Sequence, residues 1–110
     1  FFEFQKRLKK NREEFSFAVR LSGKMIGELV LYNFDHFGGA EIGFRFFPEY
    51  QKNGYAFESA TALKNYVFSA LGAKTLRSRC LKENMSSYKL IEKLGFKFKK
   101  EDETHYYFEI

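Results

Sequence analysis

The chain has 110 residues, 45% of them hydrophobic and 30% charged, with a net charge of +5. That length suits one domain with a single core, and that balance excludes a disordered chain. No apolar run reaches the roughly 20 residues of a membrane-spanning helix, and FFEFQKRLKKNREEF sets its charges behind a short apolar start, the reverse of a secretory signal, so none is expected.

The segment FFEFQKRLKK reads as the tail of an amphipathic helix, with Phe1, Phe4 and Leu8 on one face and Lys6, Lys9 and Lys10 away from it. A helix tail with no earlier partner leads to the expectation that the domain lacks its first strand and first helix here. FSFAVRL alternates strictly and predicts a half-buried strand. Ser22-Gly23-Lys24 is a short turn, so MIGELVLYNF should return antiparallel. A second turn runs from Asp35 to Gly39. AEIGFRFF then predicts a third strand with Ile42, Phe44 and Phe46 on one face.

After Pro48 the period lengthens from two to about 3.6. Ala56, Ala60, Leu63, Val67 and Leu71 form one helical stripe, and Gly72 is a natural stop. TLRSRCL predicts a strand, and strand–helix–strand predicts a right-handed crossover with parallel strands. Its Cys80 is the one cysteine, which excludes a disulfide framework and fits a reducing, cytoplasmic compartment. A buried strand residue is the plainer account of it than a reactive thiol. Asn84 caps the next helix, which carries Ser87, Leu90, Ile91 and Leu94 and ends at Gly95. FKFKK and THYYFEI are two last strands around Glu101-Asp102-Glu103. The predicted order is helix, three strands, helix, strand, helix, two strands: one α/β (α+β) domain over residues 1–110, without repeats or linkers.

The stretch PEYQKNGYAFESATAL, residues 48 to 63, carries the first functional signal. In it Gly54 tolerates every backbone conformation, and Ala56 is nearly as unobtrusive. With Tyr55 pointing away, successive N–H groups from Lys52 to Ala56 can converge on an anion at the helix N-terminus, and Lys52 adds a mobile charge. An ordinary strand-to-helix turn accounts for the same six residues. The lysine precedes the glycine and no Gly-Lys-Ser/Thr follows, so the loop is neither a P-loop nor a Rossmann fingerprint.

A second constellation follows: Asn84, then Ser87, then Lys93-Leu94-Gly95-Phe96. Taken with Gln51, Gly54 and Ala56, the chain resembles the GNAT superfamily of acetyl-coenzyme A-dependent N-acetyltransferases. That family carries Gln/Arg-x-x-Gly-x-Gly/Ala at the start of a long helix and Asn-x-x-Ser/Ala about thirty residues on. AEIGF at residues 40–44 and Phe57-Glu58-Ser59 resemble its branch that acetylates N-termini of ribosomal proteins. The resemblance covers nearly everything from Phe1 to Ile110. It implies a mixed, mostly antiparallel sheet with a parallel, splayed central pair flanked by helices. It also implies acetyl-coenzyme A as co-substrate, its pantetheine arm pairing with strand backbone near Phe44 and Phe46. The pyrophosphate would sit on the N–H groups of Gln51, Lys52, Asn53, Gly54, Tyr55 and Ala56, with Asn84 beside the arm. The N–H near Phe46 would donate to the thioester oxygen.

Many members place a tyrosine acid seven residues after the Asn; here that position is Ile91, which cannot donate a proton. In the serine branch the hydroxyl approaches the coenzyme sulfur, and Ser87 matches it; a helix-face serine bonded to backbone is the alternative weighed against that role. Tyr88, rotated by about 100° on the helix, reads as packing. For the base, Glu41 leads, with His36, Glu28 and Glu58 behind it, each weighed against a structural role. His105 reads as a surface or sheet residue. No His, Cys or acidic pair has metal-ligand spacing, so no metal is expected.

The resemblance implies transfer of acetyl to a primary amine by direct attack, the acceptor being a peptide N-terminus, an amino sugar or another small amine. The alternative is a non-catalytic coenzyme A-binding sensor or scaffold of the same fold. A pI near 9.3 and 20% aromatic residues also permit a nucleic-acid binder. Interleaved acids such as Glu13, Glu14 and Glu92 argue against that, as does core packing as the usual reason for Phe. No membrane partner is expected, and a monomer and a homodimer fit equally.

Overall fold

Alternating apolar residues govern the first half of the molecule and helical stripes the second. The computed structural model describes residues 2–8, 14–35 and 37–110. Four strands, β1 (Phe2–Leu8), β2 (Phe15–Leu21), β3 (Lys24–Tyr32) and β4 (Gly39–Phe46), run as an antiparallel meander. A 3-10 turn over Pro48–Tyr50 leads to α1 (Tyr55–Ser69) and β5 (Thr75–Leu81). Then come α2 (Met85–Lys93), β6 (Lys97–Glu101) and β7 (His105–Glu109). All seven strands join one sheet in the order β1-β2-β3-β4-β5-β7-β6, in which β4 and β5 are the parallel pair.

The opening segment is a strand, not the helix tail that Phe1, Phe4 and Leu8 suggest. Phe2, Phe4, Lys6 and Leu8 also alternate with Glu3, Gln5 and Arg7, and β1 pairs with β2 from Phe2↔Leu21 to Leu8↔Phe15. Seven residues satisfy either period, and the partner strand decides because it supplies the ladder bonds that β2 would otherwise lack on that side. Phe1, Lys9, Lys10 and the base candidate His36 lie outside the described residues.

At the β2–β3 hairpin, Ser22 and Gly23 both have positive φ, 53° and 84°, the backbone of a tight hairpin turn. A Cβ at Gly27 would run into the Phe46 ring, so this glycine lets β4's last aromatic lie across β3. Beneath the helices, α1 buries Ala60, Leu63 and Val67 and α2 buries Ile91, in one core with Leu29, Ile42, Leu76 and Phe108. Lys64 Nζ ties the two helices by donating to the Leu94 carbonyl at 2.6 Å. Leu71 does not complete the expected stripe. The helix stops at Ser69, Gly72 turns the chain at φ 70°, and Leu71 is left 54% exposed. Among the described residues no helix is long and apolar enough to cross a membrane.

Candidate active site

The parallel pair is short. β4 and β5 pair only from Gly39 to Glu41 against Thr75 to Arg77. Beyond that the Ser78 hydroxyl donates to the Ile42 carbonyl at 2.9 Å, and the strands part. Phe47 N–H donates to Ile26 on β3, and strand groups alternate in direction, so the peptide groups of Phe44 and Phe46 face the gap. A cleft of about 780 Å³ opens there. Phe44 and Phe46 line it from β4, Gln51, Lys52, Gly54 and Ala56 from the loop and α1, and Asn84 and Ser87 from α2. Asn53 and Tyr55 do not line it; the Tyr55 ring packs 6.2 Å from that of Tyr50.

The loop enters α1 through two left-handed residues, Lys52 at φ 65° and Gly54 at φ 83°. Gly54 is the N-cap and has no side chain to cap with, and its carbonyl accepts the first helical bond, from Glu58 N–H at 2.9 Å. Among the described residues, no carbonyl accepts from the amides of Lys52, Gly54 or Ala56, which leaves them to an outside acceptor. Gln51 departs from this. Its N–H is taken by the Pro48 carbonyl at 3.2 Å in the 3-10 turn, so it has no amide to offer an anion. Its side chain instead donates to the Phe46 carbonyl at 2.9 Å and ties the loop to the end of β4. A Cβ at Gly54 would meet nothing within 4 Å; the glycine serves the left-handed backbone, not a close approach within the protein. Arg45, Lys52, Lys89 and Lys93 make the lining positive.

Across the cleft, Asn84 Oδ1 accepts from Ser87 N–H at 3.1 Å and caps α2. The cap uses that oxygen and the Ser87 backbone, not the Asn84 amide nitrogen or the Ser87 hydroxyl. Ile91 is fully buried. Tyr88 stands edge-on to Tyr106 at 5.2 Å and to Phe108 at 5.1 Å, in the packing role expected of it.

Glu41 is not the poised base the sequence suggests. It is 4% exposed, and Arg79 grips both its oxygens, Nε to Oε2 at 2.6 Å and a terminal nitrogen to Oε1 at 3.0 Å. Asn33 adds a third bond, to Oε1 at 2.9 Å. Burial alone would raise its pKa, but the hydrogen bonds from Arg79 and Asn33 outweigh it and hold the carboxyl below its ordinary value. A carboxylate so covered is a poor proton acceptor, and it lines no part of the cleft. Tyr32 above it is pushed up to about 12, by burial first and then by the Glu41 charge, so it stays protonated. Glu28 pairs with Arg45 at 2.5 Å, and Glu58 sits exposed in the first turn of α1.

A second cavity, of about 420 Å³, shares Phe44, Arg45, Asn84 and Ser87 with the cleft and extends past Tyr32 and Arg79 to His105. His105 was not legible as a site residue. What brings it there is the pairing of β7 with β5, His105 opposite Leu81. Cys80 is buried, and burial pushes its thiol up, so it is a packing residue. Among the described residues no three His, Cys, Asp or Glu gather as a metal site.

The chain matches the family described as acetyltransferase (GNAT) domain over residues 1–97. It is 35% identical over 87 residues to YnaD of Bacillus subtilis (strain 168), described as an uncharacterized N-acetyltransferase. The match covers 79% of this chain and 51% of that protein, so the chain spans about half the relative's length. Among solved structures, the ribosomal-protein-S5-alanine acetyltransferase from Vibrio fischeri superposes with a TM-score of 0.83 at 22% identity, covering 88% of this chain and 61% of that one. Campylobacter jejuni N-acetyltransferase PseH, in complex with acetyl coenzyme A, superposes with a TM-score of 0.76 at 24% identity, covering 88% and 67%. These two structures share the fold.

Proposed function

The chain belongs to the GNAT acetyltransferase family, and on that premise we propose that it moves acetyl from acetyl-coenzyme A to a primary amine by direct attack. The observation that supports this best is the early parting of β4 and β5, which leaves strand backbone facing a cleft whose far end is a helix N-terminus with unused amides. An extended, amide-bearing arm with a diphosphate at its end fits that combination: strand groups for the arm, helix and loop amides for the phosphates. Phe46, at the loop end of β4, would pair with the pantetheine amides. The amides of Lys52, Gly54 and Ala56, with the Lys52 ammonium, would hold the pyrophosphate. Asn84 would reach the arm through its amide nitrogen.

Acetyl-coenzyme A supplies an activated acetyl group as a thioester. The N–H of Phe44, farther from the phosphate loop than Phe46, would polarise its carbonyl oxygen, and the Ser87 hydroxyl would donate to the sulfur. A hydroxyl is a weak acid and a thiolate a fair leaving group, so hydrogen bonding suffices for Ser87. The acceptor is a peptide N-terminus, an amino sugar or another small amine; the net positive charge favours these over a polycation.

Calorimetry with coenzyme A and acetyl-coenzyme A, followed by a thiol-release assay over an amine panel, tests the proposal. Binding and release with at least one amine are expected. Absence of binding at high micromolar concentration would sink it. Binding without release from any amine would favour a coenzyme A-binding sensor or scaffold, which Ile91 in the acid's place and the covered Glu41 support.

A further inference from the structure

We propose that His105 Nε2 takes the proton from the attacking amine. This deepens the acetyltransferase reading and rests on it. The second cavity meets the cleft at Phe44, Arg45, Asn84 and Ser87, beside the end of β4 and the first turn of α2. An amine approaching the cleft from that cavity passes His105, which is half-buried at the start of β7.

The ring is held by a carboxylate acting through a hydroxyl. Asp102 Oδ1 accepts from the Thr104 N–H at 2.9 Å, the His105 N–H at 2.8 Å and the Thr104 hydroxyl at 3.3 Å. Its Oδ2 accepts from the Tyr107 hydroxyl at 2.6 Å. The Tyr107 hydroxyl foremost, then these amides, keeps Asp102 well below the usual carboxylate range, so it is ionised and can only accept. A hydroxyl has one proton, and a charged acceptor claims it ahead of a neutral one. In the proposed arrangement the Thr104 hydroxyl proton goes to Asp102, and the Thr104 oxygen accepts from His105 Nδ1–H across their 2.7 Å contact. That tautomer carries its lone pair on Nε2, where a general base needs it.

The other groups around the cavity do not compete on equal terms. Tyr32 stays protonated, Arg45 and Arg79 are already paired, and Cys80 is pushed up by burial. On neighbouring elements, Lys82 N–H bonds the Thr104 carbonyl, and the Tyr107 ring lies 6.1 Å from the imidazole. Glu14 shares the cavity and is the rival carboxylate.

The acceptor arrives as an ammonium and gives one proton to Nε2. The freed lone pair attacks the thioester carbon, the C–N bond forms, the C–S bond breaks and the sulfur leaves with its electron pair. A second proton passes from the acylated nitrogen to that sulfur. The products are amide, thiol and an imidazolium that returns its proton to water.

The test compares the chain with its His105→Gln, Thr104→Val and Glu14→Gln variants, using an alanine-initiated peptide, glucosamine and spermidine as acceptors. His105→Gln should lower kcat/KM at neutral pH by about a hundredfold and erase the rising limb of the pH profile. Coenzyme A affinity by calorimetry and the thermal melt should hold. Thr104→Val should keep the limb but shift it, at a cost of about tenfold. The ¹⁵N spectrum of the wild-type ring should show the proton on Nδ1; this and Thr104→Val decide the matter if His105→Gln does not fold. Activity of His105→Gln at the wild-type rate, loss of the limb in Glu14→Gln instead, or a proton on Nε2 would each overturn the role of His105 alone. A wild-type chain that binds acetyl-coenzyme A yet acetylates none of the three amines overturns the acetyltransferase reading with it.

Discussion

Arg79 holds Glu41 by two parallel hydrogen bonds across the β4–β5 junction, just where those strands cease to pair. The pair locks the strands together immediately before they separate. Its expected contribution is therefore to the shape of the cleft. Glu41→Gln should lower the unfolding free energy by about 1–3 kcal/mol, the lower part of that range being favoured because the Arg79 side chain is 36% exposed. Urea denaturation measures this. A variant of unchanged stability but lost turnover would return Glu41 to the list of bases.

Acid should weaken the same region. Asp35 accepts from Arg77 at 2.6 Å and from the amides of Phe37 and Gly39, the Arg77 bond foremost, and its pKa falls to about 2 from 3.8. Glu41 is lowered from 4.5. Both carboxyls bind protons more weakly folded than unfolded, so their contribution is complete above the unfolded values, near about 4. It is lost as pH falls through the folded ones. The urea midpoint should therefore be flat with respect to these groups above about pH 5 and decline toward about pH 2. An Asp35→Asn/Glu41→Gln chain should decline less steeply, and an equal slope would refute the assignment.

Gly54 allows a conformational cost to be separated from a steric one. Its Cβ would point into open space, so Gly54→Ala should cost about 1–2 kcal/mol through φ alone. Gly54→Trp should add a loss of coenzyme A affinity of tenfold or more, on the order of 1.4 kcal/mol, by filling the phosphate end of the cleft. Calorimetry on the two variants decides. Equal affinities would show that the ligand does not lie against this turn.

Asn84 and Ser87 should also separate. Asn84→Ala removes the α2 cap and should destabilise the chain by about 1 kcal/mol while weakening coenzyme A binding. Ser87→Ala keeps the backbone N–H that Asn84 caps, so its stability should hold while turnover falls more than affinity. Thermal melts with thiol-release kinetics check both, and a Ser87→Ala chain with wild-type kcat would remove the hydroxyl from the reaction.

Much of this architecture is legible locally. Phe15–Leu21 and Thr75–Leu81 are strands over the residues their patterns mark, because each run alternates between clear breakers. The first segment misleads because seven residues fit two periods and a neighbouring strand chooses. At the site, Gly54 and the Asn84–Ser87 pair belong to motifs contained in one loop or one helical turn, and such motifs survive in a linear reading. Glu41 could not be judged that way, since Arg79 reaches it across 38 residues of chain. Nor could the loss of Gln51's amide, which depends on how Pro48 closes the turn, or the position of His105, which depends on the β5–β7 register.

The early parting of β4 and β5 also bears on how the protein avoids sticking to itself. Unsatisfied strand edges commonly recruit other chains, and sheets blunt them at their borders. Here the bare stretch lies in the middle of the sheet, with β3 on one flank, β5 on the other and residues of both helices over it. A slender chain-like molecule can thread in along it, whereas a foreign strand would have to bring its own sheet through the same opening. The molecule thus keeps sociable backbone on offer to a small guest while denying it to neighbours.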